Sequence, residues 1–198
     1  GSCFAWREEG EGLVGRPYAP RGEGGEIQRF RAPDFTALAS FKTLGKEYQA
    51  TSDKKPLIAH AQQLTQDLRP YGLISLTPVV DLDQGNAVIS GKQRAFSPDP
   101  NQTAEIADIY ITEGLHACGH SATLKHFPGH GQNNGDSHIT APIDNRSLDE
   151  IETTDLLPFA KLFQHADAVM PAHICYPKVD PDNTAGFSSI WINDILRT

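Results

Sequence analysis

The sequence contains few cysteines and no long apolar segment. Its three cysteines are widely spaced, which argues against both a disulfide framework and a CxxC zinc site. No apolar run approaches the roughly 18 residues of a membrane span, and the N-terminal residues lack the basic start, apolar run and cleavage site of a signal peptide. We therefore expect a cytoplasmic protein with reduced cysteines.

Clusters of basic residues are also absent. The 198 residues carry a net charge of -8 and no patch of Lys and Arg, whereas nucleic acids and anionic membranes are bound through basic surfaces. We expect neither as a partner, and a neutral small molecule or a sugar fits better. With 38% hydrophobic residues, the chain is long enough to form one hydrophobic core.

From residue 55 onward, segments with helical apolar spacing alternate with short apolar, β-branched segments. The helical segments are "KPLIAHAQQLTQDLRPYG", "NQTAEIADIYITEGLHACG" and "SLDEIETTDLLPFAKLFQHA", and the strand segments are "LISLTPVVDLD", "SATLKHF" and "DAVMPAH". We expect the second helix to be capped near Asn101 or Thr103, and the third to begin with a capping box at Ser147 and Glu150. "FSSIWINDILRT" starts a last helix. This alternation predicts an α/β fold of βα units on a parallel sheet.

Ionisable side chains follow each predicted strand. They are Asp81 and Asp83 after the first strand, Lys125 and His126 at the end of the second, and His173 at the end of the third. Folds with parallel strands place their functional sites at the carboxyl ends of those strands. We therefore expect these side chains to converge on one face of the molecule.

The loop "LKHFPGHGQNNGDSH" combines several titratable residues and permits three interpretations. His126 and His130, with Asp136 and His138 nearby, form a possible zinc ligand set, although Pro128 indicates a loop rather than the helix that an i,i+4 histidine pair requires. The histidines are alternatively structural, binding backbone groups of the loop. In the third interpretation, His138 is oriented by Asp136 and transfers protons near neutral pH.

"KHFPGHG" followed by "DSH" resembles the signature of the bacterial β-N-acetylglucosaminidase branch of the family 3 glycoside hydrolases. The segments "EGGEIQRF", "TPVVDLD", "RAFSPDP", "DAVMPAHICYP" and "AGFSSIWINDILR" resemble that branch in the same order. The resemblance implies a partial TIM-type (β/α) barrel with parallel strands over residues 23–198. Residues 1–22, which are rich in glycine, read as an atypical or disordered N-terminal segment.

The resemblance also implies an activity and a set of site residues. The activity is that of a retaining hydrolase that removes terminal β-linked N-acetylglucosamine from a muropeptide or a chito-oligosaccharide. No cofactor and no metal are expected. By motif position, His138 is the general acid and then base, and Asp136 is its orienting partner. Lys125, His126 and Arg94 match the ligands of the sugar.

Further site candidates come from the same strand ends and from the histidine loop. They are Asp81, His130 and His173. Asp81 either holds loops by hydrogen bonds or contacts the substrate, His130 shapes the loop, and His173 is a ligand or a structural group at the barrel mouth. Gly129, together with Gly131 and Gly135, is expected to let the loop swing over a bound sugar.

The sequence departs from the family pattern at two places. No Ser-Asp-Asp-Leu segment, which carries the nucleophilic aspartate in the family, occurs in these 198 residues. Arg21 and Gly22 stand where the family has a sugar-binding aspartate and its neighbour. These departures favour a truncated or frameshifted enzyme, and two rival functions stay open. One is an inactive sugar-binding remnant, and the other is a metal-dependent hydrolase that uses His126, His130 and His138.

Overall fold

The computed structural model of this protein describes residues 5–6, 23–28, 35–130, 132 and 142–197. The α-helices are α1 (Phe41–Thr51), α2 (Lys55–Leu68), α3 (Pro100–Ile109), α4 (Leu148–Glu152) and α5 (Leu156–Leu162). The strands are β1 (Ala5–Trp6), β2 (Thr123–Phe127), β3 (Ala168–Pro171), β4 (Cys175–Tyr176) and β5 (Asp180–Thr184). Single 3-10 turns lie at Gly25–Ile27, Arg69–Tyr71, His116–Cys118, Phe163–His165 and Ala185–Phe187, and π-helical turns at Tyr110–Leu115 and Ile190–Ile195.

The sheet is built around β2 and β3, which pair in parallel as the alternation of segments predicts. β1 pairs antiparallel with the other edge of β3, so the strand order is β1-β3-β2. β4 and β5 form a separate antiparallel pair. The boundary expected at residue 22 stays a prediction, because Ala5 and Trp6 are the only residues before it that the structure describes.

The segment before Asp81, predicted as a full strand, is only bridged to the sheet. Val79 forms a parallel bridge with Lys125, the N–H of Thr123 donates to the carbonyl of Thr77 at 2.8 Å, and the N–H of Val80 donates to the carbonyl of Lys125 at 2.9 Å. Pro78 has no N–H and cannot continue a strand ladder. The segment nevertheless lies beside β2, so its carboxyl end reaches the same face.

The helix starts are set by side-chain caps. The side chain of Asp99 accepts a hydrogen bond from the N–H of Gln102 at 2.8 Å and is the cap of α3. The cap lies two residues before Asn101, near the expected place, and Pro100 occupies the first helical position, where its missing N–H costs nothing.

The capping box predicted for the third helical segment is confirmed. The N–H of Ser147 donates to Glu150 Oε2 at 2.6 Å, and the side chain of Ser147 accepts from the N–H of Glu150. The segment is divided into α4 and α5 rather than continuous. Proline is tolerated only in the first turn of a helix, and Pro158 falls in the first turn of α5.

Two groups of aromatic contacts lie in the hydrophobic core. In one, Phe41 stacks on Phe96 with ring centroids 4.4 Å apart and meets the edge of Tyr110. In the other, Phe127 contacts Phe159 and Trp191 edge-on. Phe127 directly follows His126, so its burial fixes the end of β2 where the ionisable residues lie.

The described cysteines are unpaired, and the described helices are too short or too polar to cross a bilayer. Cys118 and Cys175 are free thiols, and Cys3 lies outside the described residues. Among the helices that the structure describes, none is both long and apolar enough to span a bilayer.

Candidate active site

Asp81 lies at the base of the candidate site and is 1% exposed. Its Oδ2 accepts a hydrogen bond from His126 Nδ1 at 2.7 Å. Its Oδ1 accepts from the backbone N–H groups of His126 at 3.1 Å and His130 at 2.8 Å. One buried carboxylate therefore ties the end of β2 to the loop that follows it.

The charges of this pair follow from burial and from the short contact between the two side chains. Burial lowers the pKa of His126 to about 4, against the opposing effect of the Asp81 carboxylate. Burial works to raise the pKa of Asp81, but the charge of His126 and the hydrogen bonds it donates bring that pKa below its ordinary value. At neutral pH a neutral imidazole thus donates its Nδ1 proton to an ionised carboxylate, and its Nε2 carries a lone pair.

A second cluster joins three chain segments through Glu23. Its Oε2 accepts from Arg94 Nε at 2.5 Å, and its Oε1 accepts from Arg94 Nη2 at 2.9 Å and lies 2.5 Å from Lys125 Nζ. All three side chains are at most 5% exposed. Lys125 is the neighbour of His126 on β2, so the two clusters are adjacent.

Charge pairing offsets the cost of burying this second cluster. Burial alone would raise the pKa of Glu23. The charges of Lys125 and Arg94 and their hydrogen bonds outweigh that effect, so the pKa of Glu23 lies well below its ordinary value. Burial works to lower the pKa of Arg94, and the hydrogen bond and charge of Glu23 raise it more. Removing one partner of a buried ion pair of this kind strongly lowers the stability of the fold, because the remaining charge is left buried without its partner.

The turn before Arg94 is organised by Asn86. Its Oδ1 accepts from the N–H groups of Val88 at 2.9 Å and Ile89 at 2.6 Å, and the N–H of Arg94 donates to the carbonyl of Ile89 at 2.9 Å. The Nδ2 of Asn86 donates to the carbonyl of His130 at 3.1 Å. Asn86 therefore links the arginine segment to the histidine loop.

The histidine loop leaves β2 at a closely packed glycine. The hydroxyl of Tyr176 donates to the carbonyl of Gly129 at 2.6 Å. Gly129 has φ 146, and a Cβ there would lie 2.6 Å from Asp155 Oδ1. Packing and backbone conformation therefore give a reason for glycine at this position, and the expectation that Gly129 also serves loop mobility stays a prediction.

The chain after the histidine loop, from Pro142 onward, is held by hydrogen bonds to β4. The N–H of Cys175 donates to the carbonyl of Pro142 at 2.9 Å, and the N–H of Asp144 donates to the carbonyl of Cys175 at 2.8 Å. Arg146 then contacts Asp144 through Nη2 and Asp155 through Nη1, both at 2.6 Å. The two ends of the loop are therefore fixed by connected contacts.

The remaining predicted site residues differ in what the structure says of them. His138 and Asp136 lie outside the described residues, as do Arg21 and Gly22, so their roles stay predictions. The ring of His130 is buried, with its centroid 5.7 Å from that of His126.

His173 follows β3. Its side chain is exposed, and its ring centroid is 6.0 Å from that of Phe187. Its place is therefore beside the Ala185–Phe187 turn.

No group of three His, Cys, Asp or Glu side chains suited to holding a metal ion occurs in the part of the chain that the structure describes. The three-histidine set considered from the sequence includes His138, which is outside that part. Of that set, the structure brings together His126 and His130.

Sequence reasoning missed Glu23 as a member of the site. The signal that could have found it is the segment "EGGEIQRF", which the resemblance singled out but left without a role. Asn86 was also missed, and it has no comparable motif.

The fold and these contacts define the class of protein. The family model described as "Glycosyl hydrolase family 3 N terminal domain" matches residues 19–198. The chain therefore belongs to glycosyl hydrolase family 3, and its domain has the TIM-barrel type of (β/α) fold expected from the sequence.

Within this family, the chain is similar to proteins named beta-hexosaminidase or NagZ. The chain is 45% identical over 179 residues to a beta-hexosaminidase of Stenotrophomonas maltophilia, covering 88% of this chain and 52% of that protein. A beta-hexosaminidase of Pseudomonas aeruginosa is 44% identical over 177 residues, with 88% and 51% covered. NagZ from Neisseria gonorrhoeae, in complex with N-trifluoroacetyl-D-glucosamine, is 42% identical with a TM-score of 0.82, covering 89% and 52%. The chain spans about half the length of these proteins.

Proposed function

We propose that this chain carries the sugar-binding and proton-transfer residues for retaining hydrolysis of terminal, non-reducing β-linked N-acetylglucosamine. The observation that carries the proposal is that Arg94, from the turn before α3, and Lys125, from β2, meet at Glu23 beside His126, in a chain similar to beta-hexosaminidases. The N-trifluoroacetyl-D-glucosamine held by the similar N. gonorrhoeae structure supports an amino sugar as the ligand.

The chemistry of these three side chains suits sugar hydroxyl groups. Arg94 has five N–H donors, of which Glu23 engages Nε and one on Nη2. Lys125 is a donor as well, while the Nε2 lone pair of neutral His126 can accept a hydrogen bond from a hydroxyl group. Charged donors in a site sheltered from water give short, strong hydrogen bonds.

His138 and Asp136 supply proton transfer in this proposal. His138 protonates the glycosidic oxygen as the bond to the leaving group breaks and later takes a proton from the attacking water, while Asp136 orients its ring. A retaining mechanism also needs a carboxylate nucleophile that forms the covalent glycosyl intermediate. We infer that this residue belongs to a Ser-Asp-Asp-Leu segment, which these 198 residues do not contain.

The substrate and its location follow from the same proposal. We infer a cytoplasmic protein acting on N-acetylglucosamine-containing muropeptides or chito-oligosaccharides, with no role for nucleic acid or membranes. The acidic net charge of -8 supports a neutral sugar over a polyanion.

Binding and turnover test the proposal separately. Calorimetric titration with N-acetylglucosamine is expected to show binding that Lys125→Met abolishes. Lys161→Met is the matched control, because Lys161 is exposed and donates to Asn101 on the surface. Absence of sugar binding by the unmodified chain would contradict the proposal.

Release of 4-nitrophenol from its N-acetyl-β-glucosaminide then separates a hydrolase from an inactive sugar-binding remnant. Turnover that falls by about 10² to 10⁴-fold in His138→Ala, the usual contribution of a general acid-base group, identifies the hydrolase. Sugar binding without turnover would mean that these 198 residues bind the sugar but do not hydrolyse the substrate without a nucleophile from elsewhere.

A metal-dependent hydrolase is the second candidate function. The observation in its favour is the pairing of His126 Nδ1 with Asp81, an arrangement that orients the ring of metal-binding histidines. A similar structure is that of NagZ from N. gonorrhoeae in complex with zinc ion. Turnover that is unaffected by a chelator, in protein without stoichiometric zinc, would exclude this function.

A further inference from the structure

Glu23 is the common partner of two residues that the proposed function assigns to the sugar. Its two carboxylate oxygens engage Arg94 at Nε and Nη2 and Lys125 at Nζ, over 2.5 to 2.9 Å. Arg94 comes from the turn before α3 and Lys125 from β2, so these cations belong to different elements. A carboxylate that contacts both sets their relative position.

The geometry of the contact with Arg94 restricts the guanidinium more than a single hydrogen bond would. Two N–H donors of one planar group meet the two oxygens of one carboxylate, which fixes the plane and direction of the arginine head. The unengaged edge of the guanidinium is thereby oriented as well. Burial of Glu23, at 1% exposed, keeps water from competing for these contacts.

The backbone next to Glu23 is built to hold it in place. Gly24 and Gly25 have φ values of 75 and 56, which favour glycine. A Cβ on Gly24 would collide with the carbonyl oxygen of Ala39, and the N–H of Gly25 donates to the carbonyl of Leu38 at 2.9 Å. Leu38 and Ala39, just before α1, therefore pack closely against the two residues that follow Glu23.

We propose that Glu23 is a positioning residue for sugar recognition, which holds Arg94 and Lys125 in the relative orientation that binds N-acetylglucosamine. This inference rests on the proposed function, because it assigns a role toward the same sugar. Glu23 acts through the two basic side chains and makes no contact with the sugar itself.

The test compares sugar affinity in Glu23→Gln and in the unmodified chain, by calorimetric titration with N-acetylglucosamine. Gln keeps the size of the side chain but loses the charge and one acceptor oxygen. We expect about tenfold weaker binding, the change that corresponds to loss of one modest hydrogen bond. Glu23→Asp retains the charge but shortens the side chain, and it is expected to weaken binding as well, so the test stands if Glu23→Gln does not fold.

Two controls separate positioning from a general loss of stability. Leu57→Ala removes a fully buried side chain of α2 and is expected to lower the melting temperature without changing sugar affinity. In the Arg94→Met background, Glu23→Gln is expected to weaken binding by a smaller factor than in the unmodified chain, because coupled residues are not additive.

The outcomes distinguish this inference from the proposed function. If the unmodified chain binds N-acetylglucosamine and both Glu23 variants bind it within twofold of the same affinity, Glu23 has no positioning role and the proposed function stands. If the unmodified chain binds no sugar, the proposed function is contradicted and the inference with it.

Discussion

At the scale of single residues, Asp81 is a buried anchor for the end of β2. It is 1% exposed and accepts hydrogen bonds from the ring and backbone of His126 and the backbone of His130. Hydrogen bonds to a charged group contribute about 2 kcal/mol, and an amide oxygen replaces only part of that contribution. We expect Asp81→Asn to lower the free energy of unfolding by about this amount, measured by denaturant titration.

The same variant bears on the protonation of His126. In the unmodified chain, ¹⁵N NMR of the imidazole is expected to show a neutral ring with its proton on Nδ1 at pH 7. Asp81→Asn is expected to change the ratio of the two neutral forms, because an amide oxygen is a weaker acceptor than a carboxylate. An unchanged ¹⁵N spectrum of His126 would mean that Asp81 does not select the tautomer.

His60 makes stability depend on pH. Its Nδ1 lies 3.0 Å from the hydroxyl of Tyr110 and its Nε2 3.0 Å from the carbonyl of Ala39, and burial lowers its pKa from 6.5 to about 4. The unfolded chain then binds a proton that the folded chain does not, so stability is complete above pH 6.5 and is lost as the pH falls towards 4. By linkage the loss from His60 is about 3 kcal/mol.

Urea titrations at pH 7 and at pH 4.5 measure this effect. His60→Gln is expected to reduce the difference in unfolding free energy between the two pH values, while the contribution of His126 remains. An equal difference in His60→Gln and in the unmodified chain would contradict the assignment.

At the scale of elements, the start of α4 was predictable from the sequence, since its capping box lies within four consecutive residues. Ser147→Ala removes the acceptor for the N–H of Glu150, and loss of such a cap costs about 1 kcal/mol. Thermal unfolding is expected to show this loss for Ser147→Ala. Ser121→Ala, which caps no helix, should stay within about 0.5 kcal/mol of the unmodified chain.

The turn at Gly129 tests the packing of the histidine loop. Gly129→Ala combines a φ of 146 with a collision against Asp155. Gly72 also has a positive φ, of 62, but has open space around it, so Gly72→Ala is expected to cost only about 1 kcal/mol. We expect the Gly129 variant to be less stable than the Gly72 variant in denaturant titrations, and equal stability would contradict the close packing.

Prediction from sequence failed where contacts with distant residues decide the structure. The helix signals of α2 and the capping box of α4 act within a few positions and were identified. The segment before Asp81 has strand-like composition, yet Pro78 interrupts its ladder with β2. Glu23 is 71 positions from Arg94, and nothing local in either segment indicates that they meet.

At the scale of the whole molecule, the site is assembled from segments that a parallel sheet brings to one edge. The convergence of Asp81 with Lys125 and His126, expected from their places after predicted strands, is confirmed by their contacts, while the same expectation for Asp83 and His173 stays a prediction. Their roles toward a sugar came from the family resemblance rather than from these positions. Membership of glycosyl hydrolase family 3 is shown, while the activity is proposed, since the chain spans about half the length of its relatives.

The central claim is that Arg94, Lys125 and His126 together bind N-acetylglucosamine. A crystal structure of this chain with N-acetylglucosamine tests it most directly. The account predicts that sugar oxygens lie within about 3 Å of Lys125 Nζ, His126 Nε2 and the guanidinium of Arg94, the distance of an ordinary hydrogen bond. A sugar bound elsewhere, or an empty strand-end site in crystals saturated with the sugar, would contradict the claim.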